Sequence, residues 1–176
     1  MTARPLVVPI AELRRHPGSR RRFTEAVALP GLGITTATVP EGAPIEVDVE
    51  LETLSNGLVA TGTVTVAWVG DCRRCLTPVD GSTVARLKEI FEPRPVEGET
   101  YPMAEDLVDL EPMVRDAVLL ALPLAPLCST DCLGPAPEAF PAVALDGGEE
   151  PESDAVADPR WAALGDLHFD SAAEDG

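Results

Sequence analysis

The sequence predicts an α+β fold: an antiparallel β-sheet, made of a long hairpin plus further strands, with one packed amphipathic helix and an acidic, partly disordered C-terminal region. Three observations point there. Residues 45–52 alternate apolar and acidic side chains, the period-two pattern of a strand with one buried face. Ser55-Asn56-Gly57 follows directly, and Asn-Gly between two such runs is the strongest short-range hairpin signal. Leu110, Val114, Ala117, Val118 and Ala121 then recur at three- and four-residue steps, the apolar stripe of a helix.

Each element has a local reason. Residues 6–10 form a short apolar run, and residues 11–16 suit one helical turn stopped by Pro17-Gly18. Ile45, Val47, Val49 and Leu51 belong to one face of the first hairpin strand, with Glu46, Asp48, Glu50 and Glu52 in water. The return strand is expected over residues 58–69, with Val64, Val66 and Trp68 on one face. Gly57 is expected at positive φ, as a two-residue hairpin turn demands. Thr77-Pro78-Val79-Asp80-Gly81 suggests a turn, and residues 83–91 a third strand whose Val84, Leu87, Ile90 and Phe91 fit period two imperfectly. Three prolines make residues 92–105 a loop. The helix spans residues 111–122, with Pro112 in its first turn, where the missing N–H is not needed, and Pro123 ending it. Asp158 and Pro159 suit the start of a last short helix near 159–167. In domain terms, residues 1–140 are expected to form a single α+β domain with a basic N-terminal arm. Residues 141–176 are expected to form an acidic, mostly disordered tail, because a Gly-, Pro- and acid-rich stretch cannot bury enough apolar area to offset its ordering entropy.

The chain has 176 residues, 45% of them apolar and only 4% aromatic, so the core is aliphatic. Thirty acidic residues against 13 basic ones give a formal charge of −17, which excludes a general nucleic-acid binder because the average field repels phosphate. The charge is uneven. The first 30 residues carry a net +4, mostly from Arg14, Arg15, Arg20, Arg21 and Arg22. That cluster can either touch RNA phosphates or anchor onto the protein's own acidic body. No apolar run is long enough to span a membrane, and the first thirty residues lack the apolar stretch of a signal peptide. A cytoplasmic protein is therefore expected.

Cysteine spacing is the sharpest chemical signal. Cys72 and Cys75 form a C-x2-C, and Cys128 and Cys132 a C-x3-C. Structural zinc takes four soft ligands in a tetrahedron, often from two short knuckles brought together by the fold. Arg73 and Arg74 would offset the double negative charge of such a centre. Two other readings stay open: four reduced thiols packed without metal, or a redox pair at Cys72 and Cys75, for which a thioredoxin-like βαβ context is lacking. Catalysis is not expected. His16 and His168 are the only histidines, no nucleophile has a neighbouring base, and neither a Walker motif nor G-x-G-x-x-G occurs. No organic cofactor and no small-molecule substrate are implied.

Four segments in register resemble the YceD family, the large ribosomal RNA subunit accumulation proteins. Gly70-Asp71-Cys72-Arg73-Arg74-Cys75-Leu76 is similar to the family's C-x-R-C-L segment, and residues 108–116 (VDLEPMVRD) to its acidic helix entry. Residues 119–128 (LLALPLAPLC) resemble the stretch in which a helix runs into L-P-x-x-P-x-C, and residues 158–164 (DPRWAAL) its closing D-P-R-x-x-x-L. Many members carry two more cysteines, where this chain has Ala136 and Ala139. The resemblance implies an α+β fold and a non-enzymatic role in 23S rRNA accumulation and large-subunit biogenesis, with a ribosomal protein or pre-large-subunit rRNA as partner. The alternative is a metal-stapled protein-interaction module or regulator without a ribosomal role.

Overall fold

The computed structural model describes residues 4–16 and 18–139. The tail expected over 141–176 and the helix near 159–167 lie outside the described residues. The chain opens with strand β1 (Val7–Pro9), one turn of helix α1 (Ala11–Arg14), strand β2 (Arg20–Val27) and the two-residue β3 (Ala37–Thr38). The long strands follow: β4 (Ile45–Leu54), β5 (Gly57–Asp71) and β6 (Pro78–Glu92). Two short strands, β7 (Tyr101–Pro102) and β8 (Leu107–Asp109), lead into helix α2 (Glu111–Ala121).

The main sheet runs β2-β4-β5-β6-β7, with β3 added beside the far end of β5. All its pairings are antiparallel except β6 with β7. β1 and β8 form a separate two-stranded ribbon. The hairpin expected at Asn56-Gly57 forms, with Leu54 opposite Gly57 and Ile45 opposite Val66. Ile45, Val47, Val49 and Leu51 are buried, while Glu46, Asp48, Glu50 and Glu52 alternate to the outer face. α2 packs on the inner face of β5 and β6 through Met113, Val114 and Val118. These join Leu58, Val64, Val66, Leu87 and Phe91 in a single core. Burying each such side chain contributes roughly 1.5–3 kcal/mol, which offsets the entropy of ordering it. Asp109 Oδ1 accepts a hydrogen bond from the Glu111 amide at 3.0 Å at the start of α2. Leu122 is extended, as a residue before proline prefers, and ends the helix.

Four local expectations are corrected. The basic arm is not free: Arg14 and Arg15 lie at the end of α1, and Arg20, Arg21 and Arg22 open strand β2, held on the edge of the sheet by pairing with β4. Thr77–Gly81 is no turn: β6 begins at Pro78, and the chain reverses at Arg73–Cys75 instead. Pro78 sits at the first position of its strand, where a missing N–H is tolerated. Gly57 does not adopt positive φ. Glycine is required there because a Cβ would lie 2.4 Å from the Phe91 carbonyl oxygen. The expected loop over 92–105 contributes β7, which pairs with the end of β6 at Phe91 and Glu92. The imperfect pattern of the third strand also has a cause. Leu87 and Phe91 face the core, whereas Val84 and Ile90 alternate to the outer face and stay exposed. No helix among the described residues is long and apolar enough to cross a membrane.

Candidate metal centre

β5 runs past the sheet core and delivers Cys72 one residue beyond its end; the chain turns through Arg73 and Arg74 and places Cys75 before re-entering as β6. The second pair arrives from α2. Pro123 and Pro126 prevent the helix from continuing, and the segment between them runs back along the sheet. Two hydrogen bonds pin its course: the Thr36 hydroxyl donates to the Pro123 carbonyl at 2.9 Å, and the Arg73 amide to the Pro126 carbonyl at 2.8 Å. Cys128 and Cys132 then face the first pair.

The four sulfurs lie within 4.8 Å of one another. Cys72 Sγ is 3.8 Å from Cys132 Sγ, and Cys75 Sγ is 3.6 Å from Cys128 Sγ. A tetrahedral ion with metal–sulfur bonds of about 2.3 Å requires edges of about 3.8 Å, so the spacing fits one shared ion. The donor set fits as well, since four soft thiolates select zinc or iron over hard cations. All four cysteines are free of disulfides. Cys72 is fully buried, Cys75 and Cys132 are half-buried, and Cys128 is exposed.

The electrostatics of the cluster point the same way. The backbone amide of Cys128, then those of Cys75 and Arg74, donate to Cys72 and pull its pKa down to about 6. The Thr77 hydroxyl lies 3.2 Å from Cys75 Sγ, and by donating to the thiolate it holds that group below the usual thiol range. Cys128 is pushed up to about 12 by its hydrogen bonds to Cys132, Cys75 and Cys72. Four sulfurs this close cannot all ionise without a cation among them. The same amide-to-sulfur hydrogen bonds would stabilise metal-bound thiolates at Cys72 and Cys75.

Arg74 does more than offset charge. Its Nη1 donates to the carbonyls of Thr130 at 3.1 Å and Cys132 at 2.9 Å, tying the first knuckle to the second. Sequence reasoning missed Thr77, although a hydroxyl two residues after a cysteine is the signal that would have found it. Leu76 takes φ 61°, the sole non-glycine residue at positive φ among those described, and its side chain is 73% exposed. Ala136 and Ala139 follow the second knuckle, joined by a hydrogen bond from the Ala139 amide to the Ala136 carbonyl. The four cysteines lie within 4.8 Å of one another without those positions.

The arginine cluster is largely engaged within the protein. Arg20 pairs with Glu50 and Glu52, and Arg22 with Asp48, all across the β2–β4 ladder. Arg14 donates to the Glu105 carbonyl and Arg21 to that of Pro9. Arg15 makes no hydrogen bond or ion pair from its side chain among the described residues, and the structure does not bring these arginines to the cysteines.

The family profile described as "Large ribosomal RNA subunit accumulation protein YceD" matches residues 60–168. The chain belongs to the YceD family. The matched span takes in all four cysteines, most of β5, all of β6, and α2. Curated proteins similar to this chain include an uncharacterized protein of Mycobacterium tuberculosis and one of Mycobacterium bovis. Each is 35% identical over 170 residues, covering 92% of this chain and 81% of the relative. An uncharacterized protein of Mycobacterium leprae is 33% identical over 172 residues, covering 93% and 77%. No solved structure matches the chain.

Proposed function

We propose that this YceD protein supports the accumulation of large-subunit ribosomal RNA, without catalysing a reaction, by holding a basic ribosomal protein in the cytoplasm until it meets its RNA. The family description supports the rRNA role. The observation that favours a protein partner over RNA is the state of the arginines. Arg20 and Arg22, two of the five clustered arginines, are paired with Asp48, Glu50 and Glu52. Carboxylates stay in large excess on a chain of net charge −17. Such a surface attracts a basic protein and speeds its encounter.

In this reading Cys72, Cys75, Cys128 and Cys132 hold a structural zinc ion. Its chemistry is that of a closed four-sulfur site, which cross-links the chain and offers no open position for catalysis. It would fasten the exit of α2 to the far end of the β5–β6 hairpin.

The test is depletion of the protein followed by profiling of mature and precursor large-subunit rRNA, with binding of purified ribosomal proteins measured alongside. Loss of mature large-subunit rRNA, and binding that weakens between low and physiological salt, are expected. An unchanged rRNA profile, or salt-independent binding, overturns the reading.

A further inference from the structure

β6 is paired along nearly its whole length on one side only. β5 accompanies it from Pro78 to Phe91, but on its other side β7 pairs with Phe91 and Glu92 alone. Among the described residues no other backbone group bonds to Val79 through Ile90. Half of their N–H and C=O groups therefore point away from the sheet with no strand among the described residues to receive them, and an edge of this kind is a template for another chain.

A groove of about 250 Å³ lies against this edge, between β6 and α2. Ala85, Leu87, Met113 and Ala117 supply apolar walls, and Glu89 and Asp116 supply carboxylates. Arg86 also lines it, although along β6 it alternates with the core-facing Leu87. At one end it is lined by Tyr101, whose hydroxyl donates to Asp116 at 2.8 Å and whose ring lies tilted by 31° against Phe91, centroids 5.4 Å apart. Leu120 stands on its rim, 87% exposed, the most exposed large apolar side chain described.

We propose that this edge accepts an extended segment of a basic partner protein as an added strand, with aliphatic side chains in the α2 groove and a lysine or arginine beside Glu89 and Asp116. Two observations select this occupant. The fold already uses the edge in this way, since β7 is an added strand at one end, and a partner would continue its line. The groove carboxylates also lack a cation: neither Glu89 nor Asp116 has an ion pair among the described residues. Edge-to-edge pairing with a second copy is disfavoured because each chain carries −17. Main-chain hydrogen bonds would supply affinity, and the groove would select alternate side chains. Arg86 and Lys88, on the opposite face, set a different demand there: a polar or acidic side chain.

This inference rests on the proposed function and names the surface it would use. The test is a nine-residue synthetic peptide with threonine at odd positions and valine and arginine alternating at even ones, titrated by fluorescence anisotropy against the full chain. Amide hydrogen exchange is followed in β6. Binding is expected to slow exchange at the amides of residues 79–90 that point away from β5. It should fall at least about tenfold when alternate peptide amides are N-methylated, when arginine is replaced by glutamate, and in the Leu120→Asp and Glu89→Gln variants. Both variants alter exposed or half-buried side chains, and an unchanged urea midpoint verifies their folding. Absence of binding, equal binding of the N-methylated peptide, or protection, before peptide is added, of the outward-pointing β6 amides that do not bond to β5 overturns strand addition. So does a dimer that the peptide cannot compete away. If strand addition fails while rRNA accumulation still requires the protein, the proposed function stands without this surface. If the peptide binds and the rRNA profile is unchanged by depletion, the proposed function falls and the docking edge stands.

Discussion

Arg22 on β2 reaches diagonally across the ladder to Asp48 on β4, its Nε donating to Asp48 Oδ1 at 2.8 Å. The Thr24 hydroxyl joins the same carboxylate at 3.2 Å. The guanidinium holds the Asp48 carboxyl below the usual range, chiefly through that hydrogen bond, and its own pKa rises in return. A carboxylate with a depressed folded pKa contributes stability that is present above its unfolded value, near pH 4. That contribution is lost as pH falls through the folded value. The urea midpoint of the wild-type protein should therefore drop below pH 4 more than that of Asp48→Asn. Added salt should shrink the difference, because the pair is exposed. Equal acid profiles would show that the pair contributes nothing measurable.

Gly57 is required for space rather than for its φ. Gly57→Val should lower stability by about 1–3 kcal/mol, because a Cβ 2.4 Å from the Phe91 carbonyl forces β6 away from the hairpin. Gly57→Ala should already produce much of the loss, since the clash begins at Cβ. A chemical denaturation series checks this. A loss confined to the valine variant would point to β-branching instead.

Tyr101 donates to Asp116, and burial together with that carboxylate raises the phenol pKa well above 10. The folded state therefore binds the phenolic proton more tightly than the unfolded chain. Stability from this group is fully present below about pH 10, the unfolded value, and declines as pH rises above it. Tyr101→Phe should cost about 0.5–1.5 kcal/mol at neutral pH through the lost hydrogen bond. It should also flatten the alkaline limb of the stability profile, read from thermal melts between pH 8 and 11.

If the four cysteines share one ion, metal analysis should find one zinc per chain. Any single change to serine should destabilise by more than about 2 kcal/mol, and the four losses should be similar. Without metal the losses should instead follow burial, largest at Cys72, which is fully buried, and smallest at exposed Cys128. Zinc uptake should release protons and weaken as pH falls, because the ligands must be deprotonated. Trp68 lies half-buried on β5 near the cysteine end, so its fluorescence should change when a chelator is added.

What could be read without coordinates was whatever depends on near neighbours in the chain. The β4–β5 hairpin, its buried face, the α2 stripe and the proline that ends the helix all follow from period, turn chemistry and a missing N–H. The two cysteine knuckles were legible for the same reason, since the short spacers lie within C-x2-C and C-x3-C. Local rules misled where a distant strand decided the matter. Arg20–Val27 has no clean alternation, because β2 is an edge strand with little buried beyond Val27. Its strand character comes from pairing with β4, which a local window does not contain. Gly57 looked like a conformational requirement and is a steric one, imposed by Phe91 more than thirty residues later. The meeting of the two knuckles is likewise tertiary. It depends on the length of β5, the stop of α2 at Leu122 and the hydrogen bonds from Thr36 and Arg73 that steer the chain between Pro123 and Pro126. Spacing can offer four thiols to a metal, but only packing can bring their sulfurs within a tetrahedron's edge.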